Sequence, residues 1–152
     1  MALERSGRTW QMLTDYICQI HVDNPSSFTL CGTNTYVIGR GPVRTLVDPG
    51  DFPESNAAFM ENFNNFLDAN SGVKIDRILV THGHHDHFGG VHDTIKLLEQ
   101  RQRTTGDLLT YKHLTGNSYE EETFDRYPDL RNRVHTISDG QVFQVGDEAL
   151  SI

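Results

Sequence analysis

Residues 75–91 read IDRILVTHGHHDHFGGV: an apolar run that breaks into a histidine-rich turn and closes on two glycines. Ile75 to Thr81 has the near-continuous apolar character of a buried strand, with Ile78-Leu79-Val80 at its centre. From Gly89 onward, Val91, Ile95 and Leu98 recur at helical spacing and predict a helix that begins where the glycines end. Strand, turn and helix are compressed into one stretch, with the polar turn at the strand's carboxyl end.

That turn, Thr81 to Gly90, has the donors of a metal-binding loop. His82, His84, Asp86 and His87 fall within six positions. In extended backbone, residues two apart point the same way, so His82 and His84 can grip one cation together. Asp86 and His87 arrive as the chain bends and can face a second ion. Imidazole nitrogen and carboxylate oxygen suit zinc, manganese or iron, and no thiolate competes. The spacing excludes a HExxH helix. His85 fits no ligand role and is expected at the surface; His21, His92, His113 and His135 are isolated and read as satisfied or surface histidines.

Working toward the N-terminus, Val43 to Val47 reads as a strand that delivers Asp48, preceded by the turn Gly39-Arg40-Gly41-Pro42. Thr35 to Gly39 and Tyr16 to Val22 are earlier strands, separated by the turn-rich Asn24-Pro25-Ser26-Ser27. Between Asp48 and the central strand lies a predicted helix, Asp51 to Asn70. Asp51 and Glu54 have capping-box spacing, and Phe59, Phe63, Phe66 and Leu67 form one apolar stripe. Toward the C-terminus the pattern weakens. Asp107 to Tyr111 and Val134 to Ile137 read as strands, and Tyr119 to Leu130 is polar and acidic. Asp139-Gly140 reads as a turn into a hairpin with Gln141 to Val145, and Glu148 to Ile152 as one further strand. Alternating strands and helices predict an α/β layered architecture in a single domain of 152 residues.

Composition narrows the function. The formal net charge of -8, from 13 basic and 21 acidic residues, repels phosphate backbones at long range. Lys96, Arg101, Arg103 and Lys112, offset by Glu99 and Asp107, make one small basic patch that reads as a solvated face. Cys18 and Cys31 lack CxxC spacing and are expected as free thiols in a reducing compartment. No apolar run approaches the roughly 18 residues of a membrane span. The opening MALERSGRTWQM lacks an apolar signal segment, and Glu4 counts against a transit peptide. A cytoplasmic or mitochondrial, non-secreted protein is expected.

The stretch HGHHDH resembles the HxHxDH signature of the metallo-β-lactamase-fold hydrolases. The resemblance implies an αββα sandwich, of which this chain would cover about the N-terminal half, a mixed sheet with helices on its outer face. It implies that His82 and His84 hold a first zinc and Asp86 and His87 a second, with manganese or iron as substitutes. Water between the metals would become a nucleophilic hydroxide, its pKa lowered toward about 7, with Asp86 as the catalytic residue that orients it. Asp48, in LVDPG, matches the family's upstream aspartate, which supports the histidine loop; taken locally it reads equally as a turn aspartate before Pro49-Gly50.

More narrowly, Asn24-Pro25, LCGTNTYVIGRGP, LVDPG and ILVTHGHHDHFGGV are similar to the β-lactamase-like protein 2 branch near glyoxalase II. That branch includes a mitochondrial endoribonuclease for single-stranded RNA and fungal thioesterases that release polyketides. Thr33, Asn34 and Thr35 would then shape the floor of the site. Expected partners are a small acyl or thioester substrate or single-stranded RNA, with no membrane and with a homo-oligomer left open. Members of the family continue with a further histidine, an aspartate and a last histidine, which His135 and Asp139 do not match in context. The expectation is therefore a chain truncated relative to the full fold, holding metal weakly by itself.

Overall fold

The computed structural model describes residues 9–104, 106 and 108–151. A seven-stranded sheet runs in sequential order through β1 (Trp10–Thr14), β2 (Ile17–His21), β3 (Asn34–Ile38), β4 (Val43–Val47), β5 (Lys74–Val80), β6 (Leu109–Lys112) and β7 (Val134–Thr136). Strands β1 to β4 pair antiparallel, and β4 to β7 pair parallel. The change follows from the connections. Turns or a loop join the first four strands, whereas parallel neighbours require crossovers. These are supplied by α1 (Ala57–Ala69), by α2 (His85–Phe88) with α3 (Val91–Gln102), and by α4 (Ser118–Arg126).

The helices lie on one face of this mixed sheet. Phe59, Phe63 and Phe66 of α1, Ile95 and Leu98 of α3 and Phe124 of α4 share one core with Cys18, Ile20, Val37, Leu46 and Ile78. The α1 phenylalanines stack at centroid spacings of 5.5 and 6.4 Å, and Trp10 meets Phe66 edge-on at 5.5 Å. The other face carries a smaller cluster of Leu79, Ile137 and Phe143, covered by the hairpin of β8 (Val142–Val145) and β9 (Glu148–Ser151). Beside it an apolar cavity of about 380 Å³ opens between Ile38, Val47, Leu79, His113, Ile137 and Leu150.

The structure departs from the sequence reading at several points. Strand β1 was not anticipated; it pairs along β2 and buries against α1 through Trp10. The capping box at Asp51 does not form. Pro53–Ser55 makes a 3-10 turn and α1 begins only after Asn56. The Asp51 carboxylate instead accepts from the Phe52 N–H at 2.7 Å and from Asn24 Nδ2 at 3.2 Å, while Glu54 pairs with Arg126 of α4. Partners from the β2–β3 connection and from α4 outcompete a local cap. The acidic stretch from Tyr119 contains a helix, because Glu120, Thr123 and Phe124 supply a buried face while Glu122 and Asp125 point to solvent. Hairpin pairing falls between β8 and β9, across Gly146-Asp147, since β7 continues the parallel sheet beside β6. The basic patch dissolves: Lys112 is buried, Arg101 pairs with Asp68, and Glu99 pairs with Arg133. Asp107, the first eight residues and Ile152 lie outside the described residues.

Candidate metal centre

The loop is built from two strand ends. Asp48 follows β4 with φ +55°, a left-handed conformation that aspartate tolerates better than most side chains. Its N–H donates to the Leu79 carbonyl at 3.0 Å, and Thr35 Oγ1 donates to its carbonyl at 2.5 Å. Its buried carboxylate reaches the loop leaving β5. Oδ1 accepts from the Thr81 N–H at 2.8 Å, and Oδ2 from Thr81 Oγ1 at 2.7 Å. Oδ2 also lies 2.9 Å from His87 Nδ1. One carboxylate thereby fixes both ends of the Thr81–His87 segment.

Three imidazoles converge in front of it. The His82 ring lies 4.7 Å from His84 and 4.2 Å from His87, centroid to centroid. His87 therefore stands beside the His82 and His84 rings. Asp86 Oδ2 accepts from Thr33 Oγ1 at 2.6 Å and lies 3.2 Å from His87 Nε2. Burial would raise the Asp86 carboxyl, but hydrogen bonds from His87 and Thr33 outweigh it and hold the group well below its ordinary range. Burial would lower His87, yet the carboxylates of Asp48 and Asp86 on its two nitrogens push it up to about 9. Burial, with His87 and His84 alongside, keeps His82 below its ordinary value.

The donors fit a divalent cation by chemistry: three imidazoles and a carboxylate, with Thr33 and Asp48 behind them. As placed, no three His, Cys, Asp or Glu side chains among the described residues stand grouped for metal binding. His87 Nε2 faces Asp86, and a metal ion held by that nitrogen would require it free of its proton. His85 is exposed, as expected, but not idle. Its Nδ1 lies 2.9 Å from Asp51 Oδ1 and its ring stacks on Phe52 at 5.9 Å. Of the isolated histidines, His92 stacks on Tyr127 at 4.0 Å. His21 has a buried Nδ1 without a hydrogen-bond partner among the described residues.

The sequence reading missed the support beneath the loop. Glu120, 1% exposed, receives the Lys112 ammonium, the Thr115 N–H and hydroxyl, and the Gly116 N–H. Its Cγ would lie 2.8 Å from a Cβ at Gly83, so only glycine lets the loop sit on it. One residue earlier, Tyr119 meets His84 edge-on at 4.6 Å. The signal that could have found this helix is Asn117-x-x-Glu120: Asn117 Oδ1 caps α4 by accepting from the Glu120 N–H at 3.0 Å.

A mixed sheet with helices on one face, and a histidine-aspartate loop at the ends of its parallel strands, places the molecule among α/β proteins with a polar site at that edge. Residues 28–150 match the metallo-beta-lactamase superfamily, and the chain belongs to it. It is 32% identical over 136 residues to the lactamase-like protein ptaB of Pestalotiopsis fici, covering 89% of this chain and 36% of that protein. It is 38% identical over 119 residues to an atrochrysone carboxyl ACP thioesterase of Passalora fulva, covering 76% and 33%. Over 90 residues it is 42% identical to a beta-lactamase-like protein 2 homolog of Drosophila melanogaster, covering 58% and 30%. The chain thus spans about a third of the length of these relatives. Among solved structures, a beta-lactamase domain protein from Burkholderia ambifaria superposes with TM-score 0.65 at 21% identity, covering 92% of this chain and 45% of that one. A flavo di-iron protein of Thermotoga maritima superposes with TM-score 0.60 at 17% identity, covering 90% and 32%.

Proposed function

We propose that this protein is a metal-dependent hydrolase acting on an ester or thioester bond of a small acyl substrate, with zinc at the His82-His84-Asp86-His87 cluster. The observation that carries the reading is the clustering of the His82, His84 and His87 rings at the sheet edge, with Asp86 against His87 and Asp48 anchoring it. When bound, one or two zinc ions, or manganese or iron in their place, would activate water and stabilise charge developing on the scissile carbonyl. His82, whose pKa burial lowers, offers a ring lone pair to the metal. Asp86, held ionised, is the residue to orient the attacking water. Asp48 and Thr33 keep His87 and Asp86 in place. The superfamily consists largely of hydrolases, and a thioesterase stands among the relatives. The -8 charge favours an acyl substrate over RNA.

Two measurements on the same preparation test this. Zinc content by mass spectrometry should fall when His82→Ala or His87→Ala is introduced. Hydrolysis of a short acyl thioester should exceed cleavage of a single-stranded RNA oligonucleotide. Faster cleavage of RNA would shift the substrate to phosphodiesters. A loop that takes up no zinc, manganese or iron would leave a metallo-β-lactamase-like module without this chemistry.

A further inference from the structure

A pocket of about 470 Å³ opens beside the loop, between the β2–β3 connection and the start of α1. That volume lies within the roughly 300–1,000 Å³ of small-molecule sites. Its walls combine apolar surface from Pro25, Phe28, Ala57 and Ala58 with the carboxylates of Asp23, Asp51 and Glu54 and the ring of His85. Phe28 is 92% exposed, an aromatic ring left at the rim without cover.

The wall is built, not incidental. Asp51 is buried; it accepts from the Phe52 N–H and Asn24 Nδ2, and its own N–H donates to Asn56 Oδ1 at 2.9 Å. It fixes His85 through Nδ1, and Phe52 fixes the ring's face. The other ring nitrogen is thereby left for a ligand. Asn24 joins the pocket to the metal centre: it binds Asp51 with Nδ2 and takes the Thr33 N–H on Oδ1 at 2.8 Å. Thr33 in turn donates to Asp86.

We propose that this pocket is a ligand subsite that seats the non-reacting end of the substrate, and that it takes an apolar group bearing hydrogen-bond donors and no negative charge. Its use in catalysis rests on the hydrolase reading; its ability to bind does not. Carboxylates accept and cannot donate, so the wall rewards hydroxyl or ammonium groups. Among the described residues no Lys or Arg lines it; the guanidinium of Arg126 is paired with Glu54 and stacked on Phe52. An anionic group entering there meets the carboxylates of Asp51 and Asp23, with that of Glu54 held by Arg126.

The test uses metal-free, ¹⁵N-labelled protein and two probes. Tyramine, an aromatic ring with a phenol and an ammonium, should shift the amides of Ser26, Phe28, Ala57 and His85 saturably. Phenyl phosphate, of similar size but doubly negative, should bind at least about tenfold more weakly, a gap of roughly 1.4 kcal/mol. Ala57→Trp, filling the pocket from α1, should abolish the tyramine shifts while zinc uptake stays unchanged. Absent shifts, equal affinity for the two probes, or undiminished binding by A57W overturns the subsite. Tyramine binding that persists in protein without zinc uptake or thioester turnover keeps the subsite and removes the hydrolase reading.

Discussion

The helix-covered face of the sheet and its loop edge are held by different forces. On the face, Phe59, Phe63 and Phe66 stack and are fully buried, and nothing there needs a partner of particular charge. At the edge the buried residues are polar: Asp48, Asp51, Asn56, Glu120, Lys112, Thr33 and Thr35. Burying such groups is tolerable only when each is hydrogen-bonded. The face therefore supplies stability that a different apolar packing could also supply. The edge fixes a geometry, and that is what a site needs.

The sharpest way to break this contrast is a pair of substitutions of similar cost. Phe63→Ala should lose about 3–5 kcal/mol of unfolding free energy through a cavity. Lys112→Met should lose a comparable amount, about 3–5 kcal/mol, by leaving the buried Glu120 carboxylate without its cation. Urea unfolding measures both. Zinc affinity at a temperature where both variants remain folded should separate them: unchanged for the first, weakened for the second. Equal affinity in both would mean that Glu120 supports the fold and not the loop.

The same contrast explains what the sequence disclosed. Periodicity located α1, α3 and strands β2 to β7, because apolar burial writes itself as spacing along one element. Val43–Val47 and the stripe of Phe59, Phe63 and Phe66 are read from neighbours in the chain alone. The four loop residues were legible because chemistry and spacing coincide within six positions. Of the supports, Asp48 and Thr33 were pointed to only by the family resemblance, and Asp51 and Glu120 not at all. Asp48 reaches His87 across 39 residues, Thr33 reaches Asp86 across 53, and Asp51 reaches His85 across 34. Such pairs leave no periodic trace. For the same reason Asp51 was misread as a helix cap, and the contacts of His85, rightly expected at the surface, went unseen.

Smaller changes sharpen the edge further. Gly83→Ala places a methyl group against Glu120 and should cost about 1–3 kcal/mol by overpacking. Zinc affinity should fall with it, because the displaced segment carries His82 and His84. Asp48→Asn keeps the shape but loses the charge facing Thr81 and His87. A loss of about 1–3 kcal/mol in stability is expected, with a roughly 10–100-fold weaker hold on zinc. Isothermal titration with zinc reads both; a D48N variant that binds as tightly as the parent would reduce Asp48 to a turn residue.

The mildest probe needs no substitution, since each region holds one thiol. Cys18 lies fully buried on the helix-covered face, and Cys31 is exposed on the β2–β3 connection beside Thr33. Burial pushes the Cys18 thiol up to about 11, against a smaller downward pull from Arg44. At pH 8 about one folded molecule in a thousand then carries the Cys18 thiolate, the form that reacts. Ellman's reagent should titrate one thiol rapidly in the native protein and the second only as the core opens. The sign with pH follows from the raised value. Folding retains the Cys18 proton, so this contribution is intact below the ordinary thiol pKa near 8.5 and is lost as pH climbs from there toward about 11. Two thiols reacting at one rate at pH 8 would show that the helix-covered face opens as readily as the loop edge, and the division between a packed face and a hydrogen-bonded edge would fail.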